Sequence, residues 1–252
     1  LSKRTRQRQA NKTADKGSDR NVIQSLNDNV VRLDQYQKSV KKNVVLIPKN
    51  VAQEKYVIAL ENQDINIVFA AGPAGTGKTM LATLAGIDQL RKGDVDKIVI
   101  TRPAISVDEQ HGFLPGSLVE KMHPWVLPIL DYFYQYYSKK EVLNMIEDGV
   151  LEIAPLAYMR GRTFLRSFII GDEMQNATPS QMKMVCTRIG DGSKLVITGD
   201  VTQHDRGYDY NGLKDIMGRY TGQRGITVCR FNDKDVERHP IIETILEMYG
   251  EK

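Results

Sequence analysis

Apolar residues along this chain fall into short runs separated by stretches of helical period. Residues 65–71 (Ile-Asn-Ile-Val-Phe-Ala-Ala) are apolar and β-branched, as are residues 97–101, 168–170, 195–198 and 226–231. Each has the length and composition of a buried strand, and residues 151–154 (Leu-Glu-Ile-Ala) are a further candidate. Between several of these runs the period becomes helical. Leu81, Leu84 and Ala85 share one face of a helix over 80–90, with Gly93 as its stop. Val51, Tyr56 and Leu60 give residues 50–60 a buried side, and residues 179–189 also read as helix. Pro240 suits the first turn of a helix carrying Ile241, Ile242, Ile245, Leu246 and Tyr249. Residues 44–47 (Val-Val-Leu-Ile) predict a short strand or an extended lead-in, ended by Pro48. Strands alternating with helices predict an α/β fold whose mostly parallel sheet is covered on both faces. Ligands of such sheets bind at the carboxyl ends of the strands.

The start of the chain departs from this pattern. Residues 1–20 have no hydrophobic period, and 22–42 hold only Val22, Ile23, Leu26, Val30 and Leu33 at helix-like spacing. Residues 1–43 therefore predict a largely disordered arm ahead of a domain over 44–252. Charge sharpens the division. Residues 1–42 hold eleven Lys/Arg against four Asp/Glu, a net of +7, which leaves −3 for the rest of a chain whose total is +4. A basic arm on a near-neutral domain fits a polyanionic partner, and equally a solvated tail that aids solubility. No apolar run approaches 18 residues and the first residues lack an apolar stretch, so neither a membrane span nor a signal peptide is expected. Cys186 and Cys229 are isolated, which suggests no disulfide framework and a reducing cytoplasm. The four histidines have no zinc-like spacing.

The first run leads into Gly72-Pro73-Ala74-Gly75-Thr76-Gly77-Lys78-Thr79, which fits the phosphate-loop pattern G-x-x-x-x-G-K-[ST] between a strand and a helix. Backbone N–H groups of such a loop and the helix N-terminus behind it attract phosphate. Lys78 would reach the β- and γ-phosphates of a nucleotide, and the Thr79 hydroxyl would bind Mg²⁺. A glycine turn that merely joins strand to helix leaves Lys78-Thr79 unexplained.

Asp172-Glu173 ends the run at 168–170. Asp172 would hold Mg²⁺, directly or through water, and Glu173 would orient and polarise an attacking water. Adjacent carboxylates beside a triphosphate need a cation, which supports Mg²⁺ in the site; the plainer reading is an acidic pair opening a solvated loop. Gln203 follows Gly199-Asp200 and could touch a γ-phosphate, or belong to a turn without ligand contact. Gln53 offers a donor and an acceptor suited to an adenine edge, although its spacing does not decide this. Arg238, before Pro240, could serve as an arginine finger or be a surface residue. Arg102, Arg160 and Arg162 lie near strand ends, where they could hold nucleic-acid phosphates or pair with local carboxylates. Five aromatics crowd residues 132–137; they could stack bases, but core or a subunit interface is the commoner use.

In this order the motifs resemble the PhoH-like family of phosphate-loop ATPases, itself similar to the first motor domain of superfamily 1 helicases. The resemblance runs from about Val44 to Tyr249. It rests on the phosphate loop, Thr101-Arg102-Pro103-Ala104, Gly112-Phe113-Leu114-Pro115-Gly116, residues 154–163, Asp172-Glu173-Met174-Gln175-Asn176, Gly199-Asp200 with Gln203, and residues 235–240. It implies a three-layer α/β/α, RecA-like domain that binds and hydrolyses Mg-ATP and is linked to RNA or single-stranded DNA. It further implies Gln53 as an adenine contact, Gln203 as a γ-phosphate sensor and Arg238 as a finger. With one motor domain, Arg238 would act across a subunit boundary in a homo-oligomer such as a hexameric ring. The alternative is a nucleotide-dependent RNA-binding assembly module with little turnover. Some relatives carry a nuclease domain ahead of the ATPase; the N-terminal stretch here is too short and basic for one, so none is expected. Three departures stand out. Gly171 replaces an apolar residue before the acidic pair, which predicts a slightly looser strand end with the carboxylates intact, Met174 replaces a small residue after it, and His111 replaces a usual Leu. Compact members occur in bacteria and phages, so the compartment would be the cytoplasm, or the host's cytoplasm for a phage protein.

Overall fold

The computed structural model describes residues 43–103, 118–202, 211–237 and 240–250. The arm expected over 1–43 therefore falls almost wholly outside the described residues, as do His111, Gln203 and Arg238. Asn43–Lys252 is one compact unit. Its elements run α1 (Val51–Glu61), β1 (Ile67–Ala71), α2 (Lys78–Lys92), β2 (Lys97–Arg102), α3 (Leu118–Phe133) and α4 (Lys139–Glu147). They continue with β3 (Leu151–Pro155), β4 (Ser167–Gly171), α5 (Pro179–Cys186), β5 (Lys194–Gly199), α6 (Gly212–Gly218), β6 (Ile226–Arg230) and α7 (Pro240–Met248).

The six strands form one parallel sheet in the order β3-β2-β4-β5-β1-β6. The fold is the expected three-layer α/β/α one with a parallel sheet, and β5 stands between β1, which leads into the 72–79 loop, and β4, which leads into the acidic pair. Alternation within each strand divides the core. Val68, Ala70, Ile98, Ile100, Phe168, Ile170 and Val196 pack with Tyr56, Leu60, Leu81, Ile129 and Phe133 of α1 to α3. Phe69, Val99, Ile169, Leu195 and Ile197 pack on the other side with Met182, Val185, Leu213 and Met217 of α5 and α6. Because both faces are buried, the strands read as continuous apolar runs rather than as alternation.

The lead-in at 44–47 joins no strand: Val44 and Leu46 lean on the core, while Val45 and Ile47 are exposed. Four of the five clustered aromatics are structural. Phe133 is fully buried, Tyr134, Tyr136 and Tyr137 pack against the same core, and the Arg91 guanidinium lies over the rings of Tyr136 and Tyr137. Among the described residues no helix is long and apolar enough to cross a membrane.

At the end of the sheet away from the carboxyl ends, the buried Lys194 ammonium donates to the carbonyls of Ala59 (3.2 Å) and Asn62 (2.7 Å) and so caps α1. Burial pushes its pKa down to about 8. Between about pH 8 and the ordinary lysine value near 10.4 the unfolded chain then binds more protons than the folded one. Stability from this site consequently rises with pH across that window. Denaturant midpoints should show the parent gaining on Lys194→Met by on the order of 1 kcal/mol per pH unit above pH 8, with a constant difference below it.

Candidate functional site

Residues 72–79 wrap the carboxyl end of β1. Gly75 and Gly77 have φ of 84° and 79°, and Gly77 caps the start of α2. The loop is braced from several directions. Gly72 N–H donates to Gly199 O (3.1 Å), Glu237 N–H to Gly75 O (3.0 Å), and the Thr76 hydroxyl to Pro73 O (2.9 Å). Gln53 lies beneath it, 1% exposed. Its amide donates to Thr76 O (3.1 Å) and its carbonyl accepts from Lys49 N–H (2.9 Å). Gln53 thus braces the loop with one N–H and one lone pair.

Gly72 is required by close approach as well as by a φ of 152°. A Cβ there would lie 2.4 Å from the Phe231 carbonyl oxygen and 2.6 Å from its Cβ. Gly72→Ala should therefore cost roughly 2–4 kcal/mol in denaturant unfolding, because backbone rather than a flexible side chain must shift.

Lys78 is 8% exposed and folds back onto the loop. Its ammonium donates to Gly72 O (2.7 Å), Pro73 O (2.6 Å) and the Thr76 hydroxyl (3.0 Å). Burial lowers its pKa, and the carboxylates of Asp200, Glu173 and Asp172 oppose that shift. All three stand along one cavity of about 360 Å³ with Lys49, Gln53, Gly75, Lys78, Thr79, Tyr132 and Glu237. That volume suits a small-molecule ligand.

Below Lys78, one carboxylate oxygen of Asp172 accepts hydrogen bonds from the Thr79 hydroxyl (2.7 Å) and the Thr198 hydroxyl (2.6 Å). The loop helix, β4 and β5 thus converge on one atom. This donor set fits Mg²⁺. The ion takes few protein ligands and completes its shell with water and phosphate. Among the described residues no cluster of three or more His, Cys, Asp or Glu forms a cage of its own. Glu173 follows in the left-handed region (φ 53°), turning the chain sharply out of β4.

Residues 45–250 match the family model described as PhoH-like protein. The chain belongs to the PhoH-like family. A PhoH-like protein of Synechocystis sp. is 40% identical over 210 residues, covering 83% of this chain and 63% of that protein. A PhoH-like protein of Bacillus subtilis is 42% identical over 222 residues, covering 86% of this chain and 69% of that protein. The chain thus spans a little under two thirds of the first relative's length and a little over two thirds of the second's. Among solved structures, the Sulfolobus solfataricus SWI2/SNF2 ATPase core in complex with dsDNA is similar at a TM-score of 0.39 and 13% identity, over 65% of this chain and 34% of that one.

In this PhoH-like chain Gln53, the loop over 72–79, Asp172 and Glu173 all gather at one site. The three arginines do not line its cavity. Arg102 donates to Trp125 O (3.2 Å), with its guanidinium 5.6 Å from the Trp125 ring. Arg162 pairs with Glu152 and lies over the Phe164 ring, and Arg160 is exposed. The Gly171 departure does not loosen the strand end. A Cβ at Gly171 would lie 2.8 Å from Ile197 and 3.2 Å from Met174, both fully buried. Met174 fills the room that Gly171 leaves, so the two departures compensate each other. Thr198, Gln175, Tyr132 and Asp200 are site residues that sequence reasoning did not assign.

Proposed function

We propose that this chain binds Mg-ATP and hydrolyses it, as a helicase-like motor acting on or with RNA or single-stranded DNA. The observation that carries this reading is the meeting of Thr79 and Thr198 on one oxygen of Asp172, with Glu173 next in sequence and Lys78 facing the same cavity. The loop amides receive the triphosphate, and Lys78 exchanges its loop oxygens for phosphate oxygens. Thr79 and Asp172 would hold Mg²⁺, which supplies neutralising charge to the β- and γ-phosphates. Glu173 orients and polarises the attacking water. Gln53 meets the adenine edge with its remaining donor and acceptor, and Gln203 reads the γ-phosphate.

The wider assembly belongs to the same proposal. Arg238 stands just before α7 and completes the site of a neighbouring subunit, in a homo-oligomer such as a hexameric ring. Arg102, Arg160, Arg162 and the basic arm of residues 1–43 contact nucleic-acid phosphates. The two unpaired cysteines, Cys186 and Cys229, suit a cytoplasmic setting, or a host's cytoplasm for a phage-encoded protein.

Phosphate release from Mg-ATP, measured with and without single-stranded RNA or DNA over a range of protein concentrations, tests these parts. Turnover per chain should rise with nucleic acid and with concentration. Full activity in a strictly monomeric species removes the intersubunit role of Arg238. Absence of turnover in every condition removes the ATPase itself.

A further inference from the structure

Gln175 follows the acidic pair by two residues, in the one-turn 3₁₀ segment Met174–Asn176, and is 4% exposed. Its side chain has two ends, both occupied. The amide nitrogen donates a short hydrogen bond to one carboxylate oxygen of Glu173. The amide oxygen accepts from the backbone N–H of Asp200 at 3.1 Å. The reverse orientation would set oxygen against carboxylate and N–H₂ against N–H, so these partners fix which way the amide points. A third residue is shaped around it. A Cβ on Gly199 would come within 2.6 Å of the Gln175 oxygen, so only glycine lets the amide pass.

From this geometry we propose that Gln175 is a positioning residue for the hydrolysis assigned above. It is a strut from the end of β5 that sets the direction of the Glu173 carboxylate. By holding one oxygen of Glu173 it leaves the other to face the water beside the γ-phosphate. The strut also ties Glu173 to β5, the strand whose Thr198 holds Asp172. The orientations of the two acidic residues are thus referred to one strand. The inference rests on the ATPase reading, because a carboxylate needs aiming only where it acts on water.

The test is steady-state ATP hydrolysis by the full chain carrying Gln175→Ala, Gln175→Asn or Gln175→Glu, with thermal midpoints and nucleotide affinity measured alongside. Gln175→Ala should lower kcat about tenfold to a hundredfold and leave KM within about threefold, because its side-chain hydrogen bonds go to Glu173 and Asp200 rather than to residues 72–79. Gln175→Asn is one methylene too short to span both partners and should behave alike. Gln175→Glu gives the diagnostic result. A protonated carboxyl has the amide's donor and acceptor arrangement, whereas an ionised one repels Glu173. Its kcat relative to the parent should therefore be higher at pH 6 than at pH 8. A merely structural role would not produce that profile. The strut is overturned by a Gln175→Ala kcat within twofold of the parent, by a rise in kcat, or by a Gln175→Glu ratio that is flat with pH. A parent without turnover overturns it too, but by removing the ATPase reading. The parent's own rate therefore separates the two failures.

Discussion

Lys78→Ala should lower nucleotide affinity about tenfold to a hundredfold and turnover by a further 10²–10³-fold or so, by removing a charge-assisted donor that follows the γ-phosphate into the transition state. The site shows why the loss should be large. The ammonium is buried among two loop carbonyls and a hydroxyl, so it is desolvated before ligand arrives. Three carboxylates, Asp200 foremost, then favour its charged form. Phosphate oxygens replacing those neutral acceptors make a stronger bond in the same low-dielectric place. The fold should tolerate the change, since the Thr76 hydroxyl independently holds Pro73 O. Lys78→Arg should not rescue, because a planar guanidinium does not fit a space shaped for a compact ammonium. Calorimetric titration with Mg-ATP, beside phosphate release, checks both numbers. Turnover within tenfold of the parent in Lys78→Ala would remove Lys78 from the chemistry.

The strands were legible because a parallel sheet buried on both faces writes itself as unbroken apolar runs. The helices were legible only where the period was long or the caps strong. α3 escaped because Pro124 and Pro128 lie within it and argue against helix. Burial of Val126, Ile129, Leu130 and Phe133 outweighs that local cost. α4 carries a capping box at Ser138 and Glu141, so its start is written locally in the sequence. α6 is seven residues long and begins at Gly212, too little to show a period. The site divides in the same way. The phosphate loop and the acidic pair are local motifs, legible in eight residues and two. Thr198 meets Asp172 only because β5 is inserted between β1 and β4, a matter of sheet order that no local spacing records. Gln175 lies within the acidic motif at 172–176, yet its amide oxygen is held by the Asp200 N–H just beyond β5. The family resemblance implies an adenine contact for Gln53, and the structure shows it as a brace beneath the loop.

Glu173→Gln should lower turnover by about 10²–10⁴-fold while leaving Mg-ATP binding intact or tighter. The substitution keeps the shape of the side chain and a carbonyl oxygen that can still accept from Gln175. The strut and the left-handed turn at residue 173 should therefore survive, and the thermal midpoint should stay close to the parent's. What disappears is the charge. A neutral amide takes no proton from water and polarises it weakly, so the chemical step slows. Removing a carboxylate from beside a triphosphate also relieves repulsion, so bound ATP should persist rather than be lost. That combination sets the ATPase apart from an assembly module that binds nucleotide with little turnover. In such a module Glu173 has no water to activate, and the variant should match the parent in every assay. Single-turnover hydrolysis and ATP affinity, measured on the same preparations, separate the two cases. Slow hydrolysis with retained binding places Glu173 at the reacting water, while equal rates in parent and variant leave the acidic pair only its cation-holding member, Asp172.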